Sequence, residues 1–223
     1  EISRKFHRII RQKMTIYLDR GRGFLYNAYE VKVMLNLVVF ASGNGSTLQA
    51  IIDAINNNEL SATINLVVSN NKDAFALERA KKNSIDTYII SNKEFQSQDE
   101  ELYEVLSNYK IDLIVLAGYL KMIGPKLLNK YTIINTHPSL LPKYGGKGMY
   151  GMKVHKAVVE AGEKISGVTL HYVNSEYDKG SIIAQTKVDV LPTDTAEDVS
   201  AKVQAVEKIQ LVNELKKFSL NSE

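Results

Sequence analysis

Three short segments place polar side chains where chemistry could follow. In Asn135-Thr136-His137-Pro138-Ser139-Leu140-Leu141-Pro142 an amide and an imidazole stand two residues apart, beside a rigid Pro-bounded turn. Residues 131–134 read as a strand, so Asn135 and His137 fall at its C-terminal end, where open α/β sheets bind ligands. Side chains at i and i+2 of an extended segment point the same way. An amide N–H donor beside an imidazole can stabilise an oxyanion while the ring handles a proton. A second segment, Ser42-Gly43-Asn44-Gly45-Ser46-Thr47, follows an apolar strand and opens a helix. Glycines let backbone approach a ligand, and free amides at a helix N-terminus favour an anion such as phosphate. The segment is neither the dinucleotide fingerprint nor a Walker loop, and a plain strand-to-helix turn capped by Ser46 would carry the same residues. The third, Tyr177-Asp178-Lys179-Gly180, has the composition of a hairpin connector between two alternating strands. Its carboxylate would raise the pKa of His137 if brought beside it, but sequence spacing does not bring it there.

The elements that must position these groups are legible from residue 35 onward. Residues 35–41 form an apolar strand, and 46–58 a helix with Leu48, Ile51, Ile52 and Ile55 on one face. Strands follow at 64–68, 87–90 and 113–117, separated by a helix that Asp73 can cap and a helix over 94–109. Strands apolar on both faces that alternate with helices mean a parallel sheet covered on either side. After residue 132 the rhythm changes. Residues 168–173 and 182–190 alternate like half-exposed strands, and a long helix over about 194–218 ends the pattern. Residues 145–151 carry four glycines in seven positions and read as a mobile flap.

Composition narrows the class. The chain has 223 residues with 44% hydrophobic and 24% charged, which suits one large globular domain rather than a disordered chain. With no Cys there is no thiolate nucleophile, and His7, His155 and His171 show no ligand spacing, so no metal is expected. His171, on an alternating strand, reads as structural. The net charge of +3 divides unevenly. Residues 1–33 hold eight Lys/Arg and three Asp/Glu, while the rest holds 20 and 22. The basic surplus therefore lies in a leading segment without a clear helical or alternating period, and the near-neutral body argues against a nucleic-acid partner. No apolar run approaches the roughly 18 to 20 residues of a membrane span, so no membrane partner is expected. The expected division is a basic N-terminal extension at 1–33 and a single domain at 34–223, with Met34 close to the domain start.

Taken together, VVFASGNGSTLQAII, VVSNNKDAFALERA, IDLIVLAGYLKMIGPKLLNKY, INTHPSLLPKYGG, GVTLHYVNSEYDKGSIIAQ and VQAVE resemble, in order, the phosphoribosylglycinamide formyltransferase family. These are folate-dependent enzymes of purine biosynthesis. The resemblance implies a Rossmann-like open sheet, parallel in its N-terminal half with helices on both faces and antiparallel in its C-terminal half. It implies that a formyl group passes from 10-formyltetrahydrofolate, as co-substrate, to the amine of 5-phosphoribosylglycinamide. It assigns catalysis to Asn135, His137 and Asp178, with Asp178 holding His137 charged. Glycinamide ribonucleotide contacts fall on Gly45, Ser46, Thr47, Gln204 and Glu207, and the folate pocket on Leu120, Lys121, Met122, Ile123 and Asn135. The family often carries an Arg shortly after the position of Phe95. Here no basic residue lies between Phe95 and Tyr109, and Gln98 is the nearest candidate for that folate contact.

Rival readings share the Asn/His/Asp set. A formyltetrahydrofolate deformylase would carry a regulatory domain in front, for which residues 1–33 are short. A methionyl-tRNA formyltransferase would carry a C-terminal RNA-binding domain, and sugar-nucleotide formyltransferases are usually parts of longer chains. A non-catalytic folate or nucleotide binding module is the rival from another class, opposed by the presence of all three catalytic residues. The expectation is a cytoplasmic transferase, monomeric or homodimeric, acting on small molecules.

Overall fold

A computed structural model describes residues 10–18, 25–32, 34–90 and 94–220. Strand β1 (Ile10–Leu18) pairs antiparallel with β2 (Leu25–Lys32) in a two-stranded sheet of its own. The sequence shows no clear period here, and the pairing register shifts between Arg11 and Met14.

The body follows as β3 (Leu35–Phe40), α1 (Ser46–Asn56), β4 (Ala62–Ser69), α2 (Phe75–Lys82), β5 (Thr87–Ile89), α3 (Phe95–Leu106), β6 (Leu113–Leu116) and α4 (Pro125–Lys130). The second half continues with β7 (Ile133–His137), α5 (Met152–Glu160), β8 (Ile165–Tyr172), β9 (Ile182–Asp189) and α6 (Ala196–Leu220). Seven strands form one sheet in the order β5-β4-β3-β6-β7-β8-β9. Every pairing from β5 to β7 is parallel, and β7-β8 and β8-β9 are antiparallel. This is the open mixed sheet that the resemblance implies. None of the described helices is long and apolar enough to cross a membrane.

The apolar runs sort by strand parity. Leu37 and Val39 of β3 face one side with Leu48 and Ile51 of α1 and Leu211 and Leu215 of α6. Val38 and Phe40 face the other with Leu102 and Leu106 of α3 and Leu127 of α4. A third cluster joins Val158 of α5, Val168 of β8 and Val199 and Val203 of α6. It explains one departure from the sequence reading: β8 is buried at every position but its two ends, not half-exposed, because α5 and α6 cover the face of Val168 and Leu170 while the turn after β7 covers that of Gly167 and Thr169. Two further departures are local. Asp73 does not cap α2, since the N-cap position is Ala74, which makes no side-chain bond; the Asp73 amide donates to Asn71 Oδ1 at 3.0 Å. Nor does Ser46 cap α1, since the cap position is Gly45 in the left-handed region at φ 71°. A Cβ at Gly45 would fall 2.7 Å from that of Ala76, so the loop can lie this close to α2 only with glycine there.

The chain leaves β3 for β4 on one side and returns to β6 on the other. The crevice between the ends of β3 and β6 is therefore the switch point of the parallel half. It is closed at its base by the Ser42 amide donating to the Gly118 carbonyl at 3.1 Å and by the Leu120 amide donating to Ser42 Oγ at 3.0 Å. Phe40 is fully buried at the end of β3 and meets Tyr119 edge-on, with ring centroids 5.1 Å apart. Phe40→Ala should lower unfolding free energy by about 3–5 kcal/mol, read as a shifted midpoint in urea.

Candidate active site

Asn135 and His137 lie within β7 rather than beyond it, and the antiparallel register sets Asn135 opposite His171 and His137 opposite Thr169 of β8. Asn135 Nδ2 is 3.1 Å from His171 Nε2, and His171 Nδ1 is 2.8 Å from the Tyr172 carbonyl. A ring nitrogen beside a carbonyl must carry the proton, so Nδ1–H donates and the Nε2 lone pair accepts one N–H of the Asn135 amide. His171 is thus part of the site, against the structural role its sequence position suggested. Only the pairing of β7 with β8 reveals it.

The turn after His137 is held by saturated hydroxyls. Thr169 Oγ1 donates to the Ser139 carbonyl at 2.6 Å and accepts from the Leu141 amide and Gln185 Nε2 at 3.0 and 2.9 Å. The segment ends at Tyr144, in the left-handed region at φ 55°, whose carbonyl accepts from His137 Nε2 at 2.7 Å. The Tyr144 hydroxyl donates to Glu163 at 3.0 Å, so the residue that orients the imidazole is fastened at both ends.

Asp178 is where the sequence reading falls short. The segment 177–180 is no tight hairpin turn. It belongs to a loop between β8 and β9 that folds back over the sheet end, with Asp178 left-handed at φ 56°. A Cβ at Gly180 would lie 1.7 Å from the Tyr172 carbonyl, so this fold-back requires glycine. Asp178 Oδ2 lies 3.5 Å from His137 Nδ1, and Oδ1 lies 3.6 Å from His171 Nε2. The carboxylate also accepts the Gly146 amide at 2.8 Å. Burial pushes its pKa up, but the His171 and His137 rings, in their protonated forms, and the Gly146 N–H together outweigh that and hold it below the usual carboxylate range. His137 is 4% exposed, and burial holds its pKa below the ordinary imidazole value although Asp178 and the Tyr144 carbonyl push the other way. That direction favours the neutral ring near pH 7.

Two clefts meet at this group. The first, of about 320 Å³, is lined by Leu120, Lys121, Met122 and Ile123 after β6, by flap residues 146–150, and by Asn135, His171 and Asp178. Leu120 and Met122 expose apolar side chains here, 50% and 38% accessible, as a flat hydrophobic ligand would require. Gln98, the other residue expected here, is half-buried on α3 and does not line this cleft. The second, of about 400 Å³, is lined by residues 43–47, Asn135, Thr136 and His137, and by Gln204 and Glu207 of α6. Asn135 lines both. Arg79 of α2, unremarked in the sequence reading, braces the glycine loop by donating to the Asn44 carbonyl at 2.8 Å and to Asn44 Oδ1 at 3.0 Å.

Glu207 ties this cleft together. Its Oε1 accepts Thr136 Oγ1 at 2.6 Å and Thr47 Oγ1 at 3.3 Å, joining α6 to β7 and α1. Surrounded by protein while still touching the solvent of the cleft, its carboxyl is pushed above the usual value by burial, which the two hydroxyl donors only partly offset. No group of three or more His, Cys, Asp or Glu that could hold a metal ion occurs among the described residues.

A mixed sheet with an Asn-His-Asp group between an apolar cleft and a glycine-loop cleft defines a class, and the sequence carries its signature. Residues 35–215 match the formyl transferase family, and the chain belongs to it. Over 178 residues it is 40% identical to the phosphoribosylglycinamide formyltransferase of Escherichia coli (strain K12), covering 78% of this chain and 82% of that one. It is 42% identical over 173 residues to the chloroplastic phosphoribosylglycinamide formyltransferase of Arabidopsis thaliana, covering 75% of this chain and 59% of that protein's length, so the match spans less than two thirds of the plant relative. Among solved structures, the phosphoribosylglycinamide formyltransferase of Coxiella burnetii superposes with a TM-score of 0.76 at 39% identity, over 83% of this chain and 87% of that one. Glycinamide ribonucleotide transformylase 1 of Symbiobacterium toebii gives 0.78 at 32% identity, over 83% and 88%.

The Glu207 carboxyl carries a stability signature. Its folded pKa lies above the unfolded value near 4.5, so the native state holds the proton more tightly and stability is lost as pH rises from about 4.5 through the folded pKa. Glu207→Gln keeps the acceptor oxygen without the buried charge. Its melting temperature should exceed that of the wild type at neutral pH, and the two curves should converge below about pH 4.5.

Proposed function

We propose that this chain transfers a formyl group from 10-formyltetrahydrofolate to the amine of 5-phosphoribosylglycinamide, a step of purine biosynthesis. The observation that carries this reading is the place of Asn135, which lines both clefts with His137 on one side and Asp178 on the other. A donor bound in the apolar cleft and an acceptor bound in the glycine-loop cleft would meet there. The catalytic unit would be the segment from about Met34, with residues 1–33 as an extension to it.

The glycine loop supports the acceptor assignment. Gly45, Ser46 and Thr47 open α1 with free amides, which favour the phosphate. Gln204 and Glu207, one turn apart on α6, face the same cleft and suit the polar sugar. The pteridine would lie against Leu120, Lys121, Met122 and Ile123, with the flap 145–151 over it.

Attack of the free amine on the formyl carbon puts negative charge on the formyl oxygen. After its bond to His171, the Asn135 amide retains a second N–H for that oxyanion. A neutral His137 would gain a proton as charge develops, with the Asp178 carboxylate 3.5 Å away to stabilise the imidazolium. The C–N bond to the folate nitrogen then breaks, and the proton lost by the amine ends on that nitrogen through His137 or a water at Asp178. The acceptor leaves as the formamide and the donor as tetrahydrofolate. No covalent enzyme intermediate is required.

Single-turnover conversion of 10-formyltetrahydrofolate, with and without glycinamide ribonucleotide, tests this directly. Conversion should require the acceptor, and equal formate release without it would mark a hydrolase instead. Asn135→Ala should lower the transfer rate by about 10²–10³, the effect of one lost oxyanion donor. Asp178→Asn should likewise suppress transfer and shift the acid limb of the pH–rate profile, because the charge that stabilises the imidazolium is gone.

A further inference from the structure

A second imidazole stands in the glycine-loop cleft, apart from Asn135, His137 and Asp178. His155 lies on α5, one turn in from its start, and lines the cleft together with Gly151 and Met152. It is 2% exposed, and its Nδ1 is fully enclosed without a hydrogen-bond partner. A neutral ring has one N–H and one lone pair, and an orphaned buried N–H is the rarer and costlier of the two. Nδ1 is therefore the lone pair and the proton sits on Nε2. That nitrogen is neither enclosed nor taken by a protein group, so it is the one presented to the cleft. Burial lowers the pKa of this ring, and the neighbouring His137 acts in the same direction, so His155 meets a ligand as a neutral donor. A neutral donor suits an uncharged oxygen better than a phosphate. His155 lines the cleft together with His137, and lies close enough to that ring to feel its charge.

We propose that His155 is an acceptor-binding residue, whose Nε2–H donates to the amide carbonyl next to the reacting amine and so aims that amine at the formyl carbon. The proposal rests on the formyl-transfer reading, because glycinamide ribonucleotide is the molecule that presents such a carbonyl in this cleft. It adds a contact on α5 to those on α1 and α6, and it gives the enclosed ring a reason to keep a polar atom where leucine would pack.

The test compares wild type, His155→Leu and His155→Gln by calorimetric titration with glycinamide ribonucleotide alone and by steady-state kinetics with both substrates. His155→Leu should weaken acceptor binding and raise the acceptor KM about tenfold, the scale of one neutral hydrogen bond, while the KM for 10-formyltetrahydrofolate moves less than about twofold. His155→Gln, which keeps an N–H, should recover most of the loss. An unchanged acceptor Kd in folded His155→Leu overturns the proposal. So does a parallel loss toward both substrates with a lowered melting temperature, which would mark a packing role. Should neither variant fold, the ¹⁵N resonance of His155 Nε2 in the wild type decides, and one that does not shift on adding glycinamide ribonucleotide overturns the proposal. A wild type that does not bind glycinamide ribonucleotide defeats the functional reading itself, whereas equal binding with and without the His155 donor defeats this inference alone.

Discussion

A single carboxylate, that of Asp178, sets the terms for the rest of the site. It stands between two imidazoles, 3.5 Å from His137 and 3.6 Å from His171, in a largely buried place where an unpaired charge would be costly. Its charge survives there because the Gly146 amide donates to it and because a proton taken up by either ring would pair with it. Each of those partners imposes a constraint. The antiparallel register of β7 and β8 supplies the two rings, the fold-back at Gly180 delivers the carboxylate, and the left-handed turn at Tyr144 starts the flap that supplies Gly146. Backbone conformations that side chains avoid are thus gathered around one charge, which is where strain in a protein is expected to serve a purpose.

The change of sheet direction at β7 has a chemical consequence. In the parallel half, the switch point between β3 and β6 opens a crevice floored by helix N-termini and glycines, suited to an anionic ligand. In the antiparallel half, the loop after β8 closes a different cleft with an apolar floor. Asn135 lies on the strand shared by the two halves and so belongs to both clefts. Two molecules held in separate pockets can meet only at such a boundary, and holding them there removes the entropic barrier to a bimolecular reaction.

Stability and function pull apart in the second cleft. Glu207 holds three elements together through Thr136 and Thr47, yet burial opposes its charge. His155 repeats the theme with a polar atom enclosed and unpartnered. Departures of this kind from a satisfied interior concentrate where a ligand is expected to complete the structure.

Much of the architecture was legible in the sequence because it follows from local periodicity. The apolar runs at β3, β4 and β6, the amphipathic α1 and the glycine loop between them declare a parallel sheet and its crevice without any knowledge of distant contacts. Asn135 and His137 were legible for the same reason, being two residues apart on one extended segment. The segments that resemble a family supplied Asp178, Gln204 and Glu207, which no spacing rule would have joined to them. Other features depended on the fold alone. Whether 177–180 is a tight turn or a fold-back, whether His171 is structural or faces the site, and whether His137 rests charged or neutral are set by the β7-β8 register, by the carbonyl above Gly180 and by the depth of burial. Those are relations between residues far apart in the chain. A local pattern records which face a side chain takes, and only packing determines what meets it there and how much water remains.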